Sequence, residues 1–364
     1  MIKITDKSQC CGCNACVNAC PVGCIGVRTD DEGFAYPLAD DTVCVDCDLC
    51  QKVCPMINQS PARLPLQVFA AVNEDQQVRS ASSSGGVFTL LATNVLEDGG
   101  VIFGAAFDDE WNVVHRECTD IEGLEALRGS KYSQSDTGDS YRSVKRYLDE
   151  GRMVLFSGTP CQISGLKKYL GKDYDGLLTV DVVCHGVPSP LLWTCYLDSL
   201  SRRAGERPVA VSFRDKSTGW KSYSFNVTFP FVPPFSQKYT ENVFFKYFLS
   251  DVSLRPSCYN CNSKAGRSAS DITLGDWWGI HKVHPEMDDD RGVSLVMLNT
   301  EKGRMAFDRI SCGKVETIYD DAVISNPSVI KSAMVPSDSF ITNFTFVFIH
   351  DILFAMGLGF FPSS

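Results

Sequence analysis

The sequence is short of basic residues and of long apolar runs. Its 364 residues include 34 Lys and Arg against 44 Asp and Glu, a formal net charge of -10. Because binding to nucleic-acid phosphates requires a basic surface, this balance predicts no nucleic-acid partner. No apolar run reaches the roughly 18 residues of a membrane span. The segment 344–361 is broken by His350 and Asp351, and we interpret it as a buried helix or a contact surface.

Two signatures of nucleotide-binding proteins are also missing. No G-x-G-x-x-G follows a predicted strand, so the Rossmann fingerprint is absent. The segment GTPCQ at 158–162 lacks the lysine that a P-loop requires. Any nucleotide cofactor must therefore be held in another way. The opening residues, MIKITDKSQC, carry charges and no apolar core, which predicts no signal peptide and a cytoplasmic protein.

Cysteine, in contrast, is abundant, with 17 residues. The pattern C-x2-C-x2-C-x3-C-P occurs twice, over 10–21 and over 44–55. In this bacterial ferredoxin pattern, three thiolates from one loop bind a 4Fe-4S cluster and the fourth cysteine binds the other cluster. The spacing predicts a first cluster on Cys10, Cys13, Cys16 and Cys54, and a second on Cys44, Cys47, Cys50 and Cys20.

The two cysteine runs have an alternative interpretation as structural zinc sites, since C-x2-C pairs also suit tetrahedral zinc. Zinc takes four ligands, often as two pairs, and two complete four-cysteine runs ending in Cys-Pro fit that arrangement poorly. Cys11 and Cys24 fall outside the pattern and are interpreted as spectators. Cysteines in cluster-type spacing indicate a reducing compartment rather than a disulfide scaffold.

Length and composition predict a small module followed by a larger domain. Residues 1–57 form the predicted ferredoxin-type domain, with a β-hairpin around the turn-rich segment 29–33. Residues 58–66 are a predicted linker, and 67–333 a larger domain. The expected fold class is α+β, a two-cluster ferredoxin-like module followed by a mixed α/β domain without a Rossmann fingerprint. Strands of the larger domain are predicted at 68–72, 101–107, 112–116, 153–156, 177–183, 209–214, 223–229, 271–274 and 293–298.

Two polar segments of the larger domain are candidates for cofactor binding. The segment SSSGG at 82–86 precedes an amphipathic helix. Ser84 is either the N-cap of this helix or part of an anion site, because bare amides at a helix start beside glycines suit a cofactor phosphate. The segment RGSKYSQS at 128–135 is either a solvated loop or a group of hydrogen-bonding side chains around Lys131.

A third set of cysteines is spread over the larger domain. Cys161 lies at a helix start, where a thiolate is favoured, and Cys184 follows a buried strand. Cys258 and Cys261 form a C-x2-C pair on a loop, which alone could be half of a zinc site. Four thiols are what one more 4Fe-4S cluster requires. The alternative is four unrelated cysteines that fill the core.

Six segments, taken in order, resemble one family: SSSGG at 82–86, RGSKYSQS at 128–135, FSGTPCQ at 156–162, DVVCHGVPSP at 181–190, FRDKSTGW at 213–220 and SDITLGDWWG at 270–279. The family that they resemble is the coenzyme F-420 hydrogenase/dehydrogenase beta-subunit family, in the version with an N-terminal two-cluster ferredoxin module. The resemblance implies a flavin-binding larger domain that holds FAD and a cluster of its own. It thereby favours a third cluster on Cys161, Cys184, Cys258 and Cys261.

The resemblance also implies roles for individual residues. Lys131 would tune the flavin or pair with its phosphate, and His185 would manage protons, unless it only makes a hydrogen bond within its loop. From Met334 on, the chain does not look like the family's usual end, so 334–364 is expected to be an atypical tail. The resemblance implies FAD binding by Ser84, Gly85, Gly86, Ser130, Lys131, Tyr132, Gln134, Ser135, Gly158 and Thr159.

Two functions follow from these patterns. The first is an iron-sulfur flavoprotein oxidoreductase that passes electrons between a two-electron hydride donor or acceptor and 4Fe-4S clusters through FAD. Its small-molecule substrate would be deazaflavin-like or unknown, and a ferredoxin or another redox protein would be its partner. The second is a non-enzymatic electron-carrier or docking subunit in which only the ferredoxin module is redox active.

Overall fold

The computed structural model describes residues 1–336. The predicted tail 334–364 therefore lies outside the described residues except for its first three, and so does the apolar segment 344–361. Among the described residues, no helix is both long and apolar enough to cross a membrane.

The N-terminal module consists of two similar halves. Each cysteine run enters a short helix, α1 at Ala15–Ala19 and α2 at Leu49–Lys52, and the predicted hairpin, β1 at Ile25–Thr29 and β2 at Ala35–Ala39, lies between them. Gly12 and Asn14 in the first run have positive φ, as do Asp46 and Asp48 at the equivalent positions of the second. Gly, Asn and Asp are the residues that tolerate this conformation best. The repeated sequence pattern thus forms the same backbone loop twice.

The larger domain alternates strands and helices, in agreement with the predicted mixed α/β class. Its helices are α3 Gln76–Ala81, α4 Val87–Glu97, α5 Leu124–Leu127, α6 Ser140–Asp149, α7 Pro160–Leu170, α8 Pro190–Ala204, α9 Val243–Leu249, α10 Glu301–Asp308 and α11 Tyr319–Ser325. Its strands are β3 Gln67–Val72, β4 Val101–Phe107, β5 Val113–Cys118, β6 Val154–Gly158, β7 Leu177–Val182, β8 Ala210–Asp215, β9 Ser224–Thr228, β10 Phe235–Lys238, β11 Ile272–Asp276, β12 Ser294–Leu298 and β13 Gly313–Thr317.

Eight of these strands form one twisted sheet, in the order β13-β3-β12-β11-β7-β6-β4-β5. The four central strands β11, β7, β6 and β4 are parallel, and the flanking strands are antiparallel. Strand β12, which lies between β3 and β11, is buried along its whole length, which explains its nearly continuous apolar sequence. The short strands β10 and β13 were not predicted, because they alternate half-buried and exposed side chains and gain their hydrogen bonds only from neighbouring strands.

A second sheet, β10-β9-β8, packs with α8 and α9 around an aromatic core. Trp193, Phe213 and Phe244 are fully buried there, with ring centroids 4.7 to 5.7 Å apart. This core supports the chain that leads from α9 into a 3-10 turn at Pro256–Asn260, which carries Cys258. Helix α9 contributes Phe244, Phe245, Tyr247 and Phe248 to this core.

The ferredoxin-like module lies directly against the large sheet's helix layer. Helix α1 packs on α7, and the side chains of Cys11 and Cys13 share an apolar cluster with Tyr141 and Ile163. The segment 58–66 is also held in place, because the backbone N–H of Arg63 donates to Ala265 O at 3.1 Å. The division of the chain at 57 and 66 therefore stays a prediction, while the contact between the two parts is extensive.

Close packing between module and domain gives a first prediction. A Cβ atom at Gly165 in α7 would lie 2.9 Å from Cβ and Sγ of Cys13. We expect Gly165→Ala to destabilise the protein by about 1–3 kcal/mol, the usual cost of overpacking, although alanine itself favours a helix. The midpoint of anaerobic thermal unfolding measures this loss.

The control for this prediction is Gly26→Ala in the hairpin, where the nearest atom to an added Cβ is 3.8 Å away. That variant should match the parent within about 1 kcal/mol. An equal loss of stability in both variants would show that the contact between Gly165 and Cys13 is not limiting.

Candidate functional site

The cysteines of the two N-terminal runs are interleaved in space. Cys16 and Cys20 of the first run pack in one cluster of side chains with Cys44, Cys50 and Cys54 of the second. The pKa of Cys16 is raised to about 12, mainly by burial and in addition by the charges of Cys10 and Cys54. Cys54 therefore lies near Cys10 and Cys16, and the crossed ligand set itself stays a prediction.

Three members of the second predicted set, Cys20, Cys44 and Cys50, lie in this same cluster of side chains, whereas Cys47 is exposed. Cys20 Sγ is 3.4 Å from Cys24 Sγ, and Cys24 in turn is close enough to Cys44 for that thiol to help raise its pKa. The backbone N–H of Ile2 donates to Cys50 Sγ at 3.2 Å. Cys24, set aside in the sequence analysis, thus contacts the predicted ligands. Among residues 1–336, no three His, Cys, Asp or Glu side chains come close enough together to hold a single metal ion.

The four dispersed cysteines of the larger domain meet at one pocket. Cys161, Cys184, Cys258 and Cys261 all line it, together with Cys11 and His185. Burial raises the pKa of Cys184 well above its ordinary value; Lys264 opposes this shift, and the charges of Cys258, Cys161 and Cys261 add to it. Sequence spacing could not show that these thiols converge, and the structure brings all four together.

The sheet explains the convergence. Strands β6 and β7 are parallel neighbours, with Gly158 opposite Asp181, so their carboxyl ends lie at the same edge. Cys161 follows β6 in the first turn of α7, where Thr159 Oγ1 is 3.2 Å from its sulfur. Cys184 follows β7, and Lys264 Nζ donates to its carbonyl oxygen at 2.5 Å. The carboxyl edge of parallel strands is the usual place for a binding site in such sheets.

The other two thiols arrive on the loop after α9. The backbone N–H of Val187 donates to Cys258 Sγ at 3.4 Å, and the N–H of Cys261 donates to Ser332 Oγ at 2.9 Å. These contacts fix the C-x2-C pair opposite the two strand ends. A thiolate that accepts a backbone N–H is stabilised in its charged form, which is the form that binds metal.

Cys11 and His185 complete the pocket wall. Cys11 is buried and lies against the thiols of both Cys13 and Cys161, so it stands between the first cysteine run and the pocket. His185 Nε2 is 2.5 Å from Asp251 Oδ1, an ion pair if the imidazole is protonated. Asp251 is buried and also accepts from the N–H of Met334. His185 is therefore oriented by a carboxylate, which no sequence signal indicated.

The residues predicted to hold FAD fall into two groups. The first surrounds the start of α4, where Ser83 Oγ accepts from the N–H of Ser130. The prediction of Ser84 as N-cap is wrong: Gly86 is the N-cap, no side chain caps the helix, and Ser84 Oγ donates to Val293 O at 2.8 Å. The N–H of Gly85 donates to Ser294 Oγ at 3.0 Å. This group comprises Ser84, Gly85, Gly86, Ser130, Lys131 and Tyr132.

Cations gather around this helix start. Lys216 Nζ donates to Ser84 O at 2.7 Å, Arg214 donates to Ser83 O at 3.3 Å, and Lys131 Nζ donates to Arg128 O and Gly129 O. Burial lowers the pKa of Lys131 and of Lys216 to about 7. Among the described residues neither ammonium group forms an ion pair with a carboxylate, whereas Arg214 pairs with Asp276 at 2.9 Å.

The second group lies beside the cysteine pocket and surrounds His115, which the sequence analysis missed. His115 Nε2 is 3.0 Å from Ser157 O, so Nε2 carries the proton, and Nδ1 accepts from Ser135 Oγ at 3.1 Å. Burial lowers the pKa of His115 to about 4, which keeps the ring neutral. Gln162 Nε2 donates to Ser135 Oγ at 2.8 Å. This group comprises Gln134, Ser135, Gly158 and Thr159.

Three protein-family models match parts of the chain. Residues 68–140 match the coenzyme F420 hydrogenase/dehydrogenase beta-subunit N-terminal model, and residues 151–320 match the C-terminal model of the same beta subunit. The chain belongs to the coenzyme F420 hydrogenase/dehydrogenase beta-subunit family. Residues 9–57 match a 4Fe-4S dicluster domain, so this family member carries iron-sulfur clusters at its N-terminus.

Two relatives of the chain come from Methanocaldococcus jannaschii and Methanosarcina mazei. This chain is 27% identical over 207 residues to a protein of uncharacterised function from Methanocaldococcus jannaschii. The match covers 48% of this chain and 56% of that protein. This chain is also 24% identical over 169 residues to one of the subunits of the F(420)H(2) dehydrogenase of Methanosarcina mazei, covering 44% of this chain and 48% of that protein. The chain thus spans about half the length of the curated relatives it matches.

A structural relative is a chain of the F420-reducing NiFe hydrogenase complex of Methanosarcina barkeri. It superposes with a TM-score of 0.47 and 15% sequence identity, over 81% of this chain and 92% of that chain.

The cysteines of the pocket in the larger domain all lie inside the segment that matches the C-terminal beta-subunit model. They are Cys161, Cys184, Cys258 and Cys261.

Proposed function

We propose that the protein is an iron-sulfur flavoprotein oxidoreductase that passes electrons between a hydride donor or acceptor and a redox partner protein. The observation that carries the proposal is the convergence of four cysteines from the family's C-terminal segment at one pocket, directly against the dicluster module. A chain that only carried electrons through its ferredoxin module would not require thiols inside the larger domain.

On this proposal Cys161, Cys184, Cys258 and Cys261 hold a third 4Fe-4S cluster. The donor set suits it, because four thiolates are the ligands such a cluster takes. Backbone N–H groups and Lys264 around the pocket supply positive partners for the negative charge of the thiolates. Cys11 contacts Cys161 and is the residue after Cys10, so it links the pocket to the first cysteine run along the chain.

The start of α4 is the proposed site of the FAD phosphates. Support comes from the four cations Arg128, Lys131, Arg214 and Lys216 around a helix start without a side-chain cap. Helix dipole and cations act together on a bound anion. Flavins accept electrons in pairs and release them singly, which is how a hydride carrier can be connected to clusters. The substrate is a deazaflavin-like molecule or another hydride carrier.

Proton transfer near the pocket is assigned to His185. Asp251 orients its ring at 2.5 Å, and the side chain is about one third exposed, so it contacts both the pocket and solvent. Histidine is the side chain that most often transfers protons in enzymes, and a carboxylate partner fixes the orientation of its ring.

The proposed partner surface lies at the second cysteine run. Cys47 is exposed, and the apolar side chains of Val43, Val45 and Leu49 around it are exposed as well. Exposed apolar side chains that cluster around a redox centre suit a transient protein contact. Electrons would leave or enter through the cluster on Cys44, Cys47, Cys50 and Cys20.

Cofactor content of the anaerobically purified protein tests the proposal. We expect about twelve irons per chain, the content of three four-iron clusters, together with FAD that denaturation releases. About eight irons without flavin would instead support an electron-carrier subunit in which only the N-terminal module is redox active.

A cysteine substitution tests the third cluster separately. Cys258→Ser should lower the iron content by about four per chain and leave the two N-terminal clusters intact, because a cluster requires all of its thiolates. Cys11→Ala is the control, since Cys11 lines the same pocket but stands outside the proposed ligand set. Unchanged iron in Cys258→Ser, or a loss of about four irons in Cys11→Ala, would refute the ligand assignment.

The positive charge of Lys131 provides a test of the proposed flavin site. We expect Lys131→Met to weaken FAD binding about tenfold, the equivalent of one charge-assisted hydrogen bond, whereas Lys131→Arg should bind nearly as well as the parent. Equilibrium dialysis with FAD measures the dissociation constant. Equal affinity of the parent and Lys131→Met would contradict this assignment.

The same site predicts a pH dependence. The pKa of Lys131 and of Lys216 is lowered from the ordinary 10.5 to about 7, so both side chains lose their charge as the pH rises through neutrality. Because only the charged form attracts a phosphate, FAD should bind more tightly at pH 6 than at pH 8.5. A dissociation constant that stays flat over this range would show that the two lysines do not contact the flavin phosphates.

A further inference from the structure

Arg255 is a fully buried cation at the boundary between the ferredoxin-like module and the larger domain. Its side chain is 0% exposed. The guanidinium donates from Nε to Cys10 O at 2.7 Å, from one terminal nitrogen to Gln134 Oε1 at 2.8 Å, and from the other to Ala35 O at 2.9 Å. The last of these nitrogens is also 3.6 Å from Cys10 Sγ.

The positive charge of Arg255 has no carboxylate partner among the described residues. The other two buried arginines do: Arg79 pairs with Asp289 at 2.7 Å, and Arg214 with Asp276 at 2.9 Å. Around Arg255 the remaining neighbours are aromatic, with the ring centroids of Tyr36 and Phe34 at 4.3 and 5.4 Å from the guanidinium carbon. A charge removed from water is costly unless an opposite charge compensates it, so the structure predicts an anion at this point.

The first cysteine run is shaped to accept this cation. Gly12 has φ +69, and a Cβ atom at that position would lie 2.7 Å from a terminal nitrogen of Arg255 and 2.9 Å from its guanidinium carbon. Any other residue at position 12 would displace the guanidinium from the loop. The loop of Cys10 to Cys13 therefore packs closely around the side chain of Arg255. Among the described residues, the sulfur of Cys10 is the only one within hydrogen-bonding distance of the guanidinium.

Arg255 is also connected to the third set of cysteines. Its carbonyl oxygen accepts from the N–H of Cys258 at 2.8 Å, at the start of the 3-10 turn. Its charge opposes the rise in the pKa of both Cys161 and Cys258. One residue thus contacts the loop of the first predicted cluster with its side chain and the loop of the third with its backbone.

A second buried cation, Lys264, also lies beside a cysteine. Lys264 is 5% exposed, and Nζ donates to Cys184 O at 2.5 Å and Ser328 O at 2.7 Å, without an ion pair to a carboxylate in the described part of the chain. Four cations of the described residues are buried, and the two of them that lack a carboxylate partner, Arg255 and Lys264, both lie beside cysteines. Lys131 and Lys216 are only partly buried and lie at the start of α4. The negative charge of the thiolates and of the inorganic sulfides is the compensation that this arrangement requires.

We propose that Arg255 is the counter-charge of the cluster on Cys10, Cys13, Cys16 and Cys54, and that it raises the reduction potential of this cluster above that of the second. Reduction adds one negative charge to a cluster, and a cation in a medium of low dielectric constant stabilises that charge. Hydrogen bonds to cluster sulfurs act in the same direction. The first cluster, which faces the larger domain, would thereby retain electrons more readily than the exposed second one. This inference rests on the iron-sulfur part of the proposed function.

A redox titration of the full-length holoprotein, followed by EPR, tests the proposal. In Arg255→Gln we expect one N-terminal cluster to become at least tenfold harder to reduce, which is about 59 mV or more for a one-electron couple, while the other N-terminal cluster keeps its potential. Arg255→Lys retains a cation and should restore most of the difference.

The matched control is Arg142→Gln. Arg142 also ties the module to the larger domain, through Val17 O and Asn18 O at 3.0 Å, but it is 44% exposed and has its own carboxylate in Asp139. This variant should lose inter-domain hydrogen bonds without changing either potential. An equal shift in Arg142→Gln would overturn the proposal, because the effect would then come from loosened packing.

Further outcomes separate the inference from the proposed function. Clusters that are present with unshifted potentials in Arg255→Gln would overturn the role of Arg255 alone, whereas a parent protein without 4Fe-4S signals would overturn the proposed function itself. If Arg255→Gln does not fold, Arg255→Met serves the same purpose, since its unbranched side chain fills similar space without a buried unpaired donor. The same shift is expected there, and its absence would refute the proposal.

Discussion

The need to bury thiolates, and the clusters that they bind, inside one small volume is the constraint on which the structure depends. On the proposed function, twelve cysteines bind clusters at three points, and negative charge in a low-dielectric interior is costly without positive partners. The chain supplies such partners with backbone N–H groups, such as those of Ile2 and Val187, and with the buried cations Arg255 and Lys264. The proposal therefore implies that iron-sulfur binding stabilises the fold.

The same constraint explains why the module does not behave as an appended ferredoxin. Its first loop packs into the larger domain, with Cys13 against Gly165 and Cys11 against Cys161. Its second loop remains at the surface, where Cys47 is exposed. The two runs have the same sequence pattern and the same backbone conformation, yet one faces inward and the other outward. This asymmetry places the first run between the pocket and the exposed second run.

The larger domain has a proposed binding site at each of two places in its fold. The carboxyl ends of β6 and β7 form the cysteine pocket, and the start of α4 collects four cations. Tyr132 and Gln134 lie only two residues apart, and they belong to different groups: Tyr132 contacts Arg214, and Gln134 contacts Arg255 and Cys11. The segment 128–135 therefore connects the proposed flavin site with the cysteine pocket.

The sequence by itself determined the cysteine runs, the hairpin, the long buried strands and the family, because these depend on local spacing and on continuous apolar stretches. It also identified the four dispersed cysteines as candidate cluster ligands, although it could not show that they lie close together in space. Only the tertiary structure decided that convergence, the place of Cys11, the pairing of His185 with Asp251 and the position of Arg255 beneath Cys10. The contact of His185 with Asp251 spans 66 positions of the chain and that of Arg255 with Cys10 spans 245, and no periodicity or spacing rule reaches across such separations. The N-cap assignment of Ser84 failed for the same reason, since a distant acceptor, Val293 O, takes its hydroxyl.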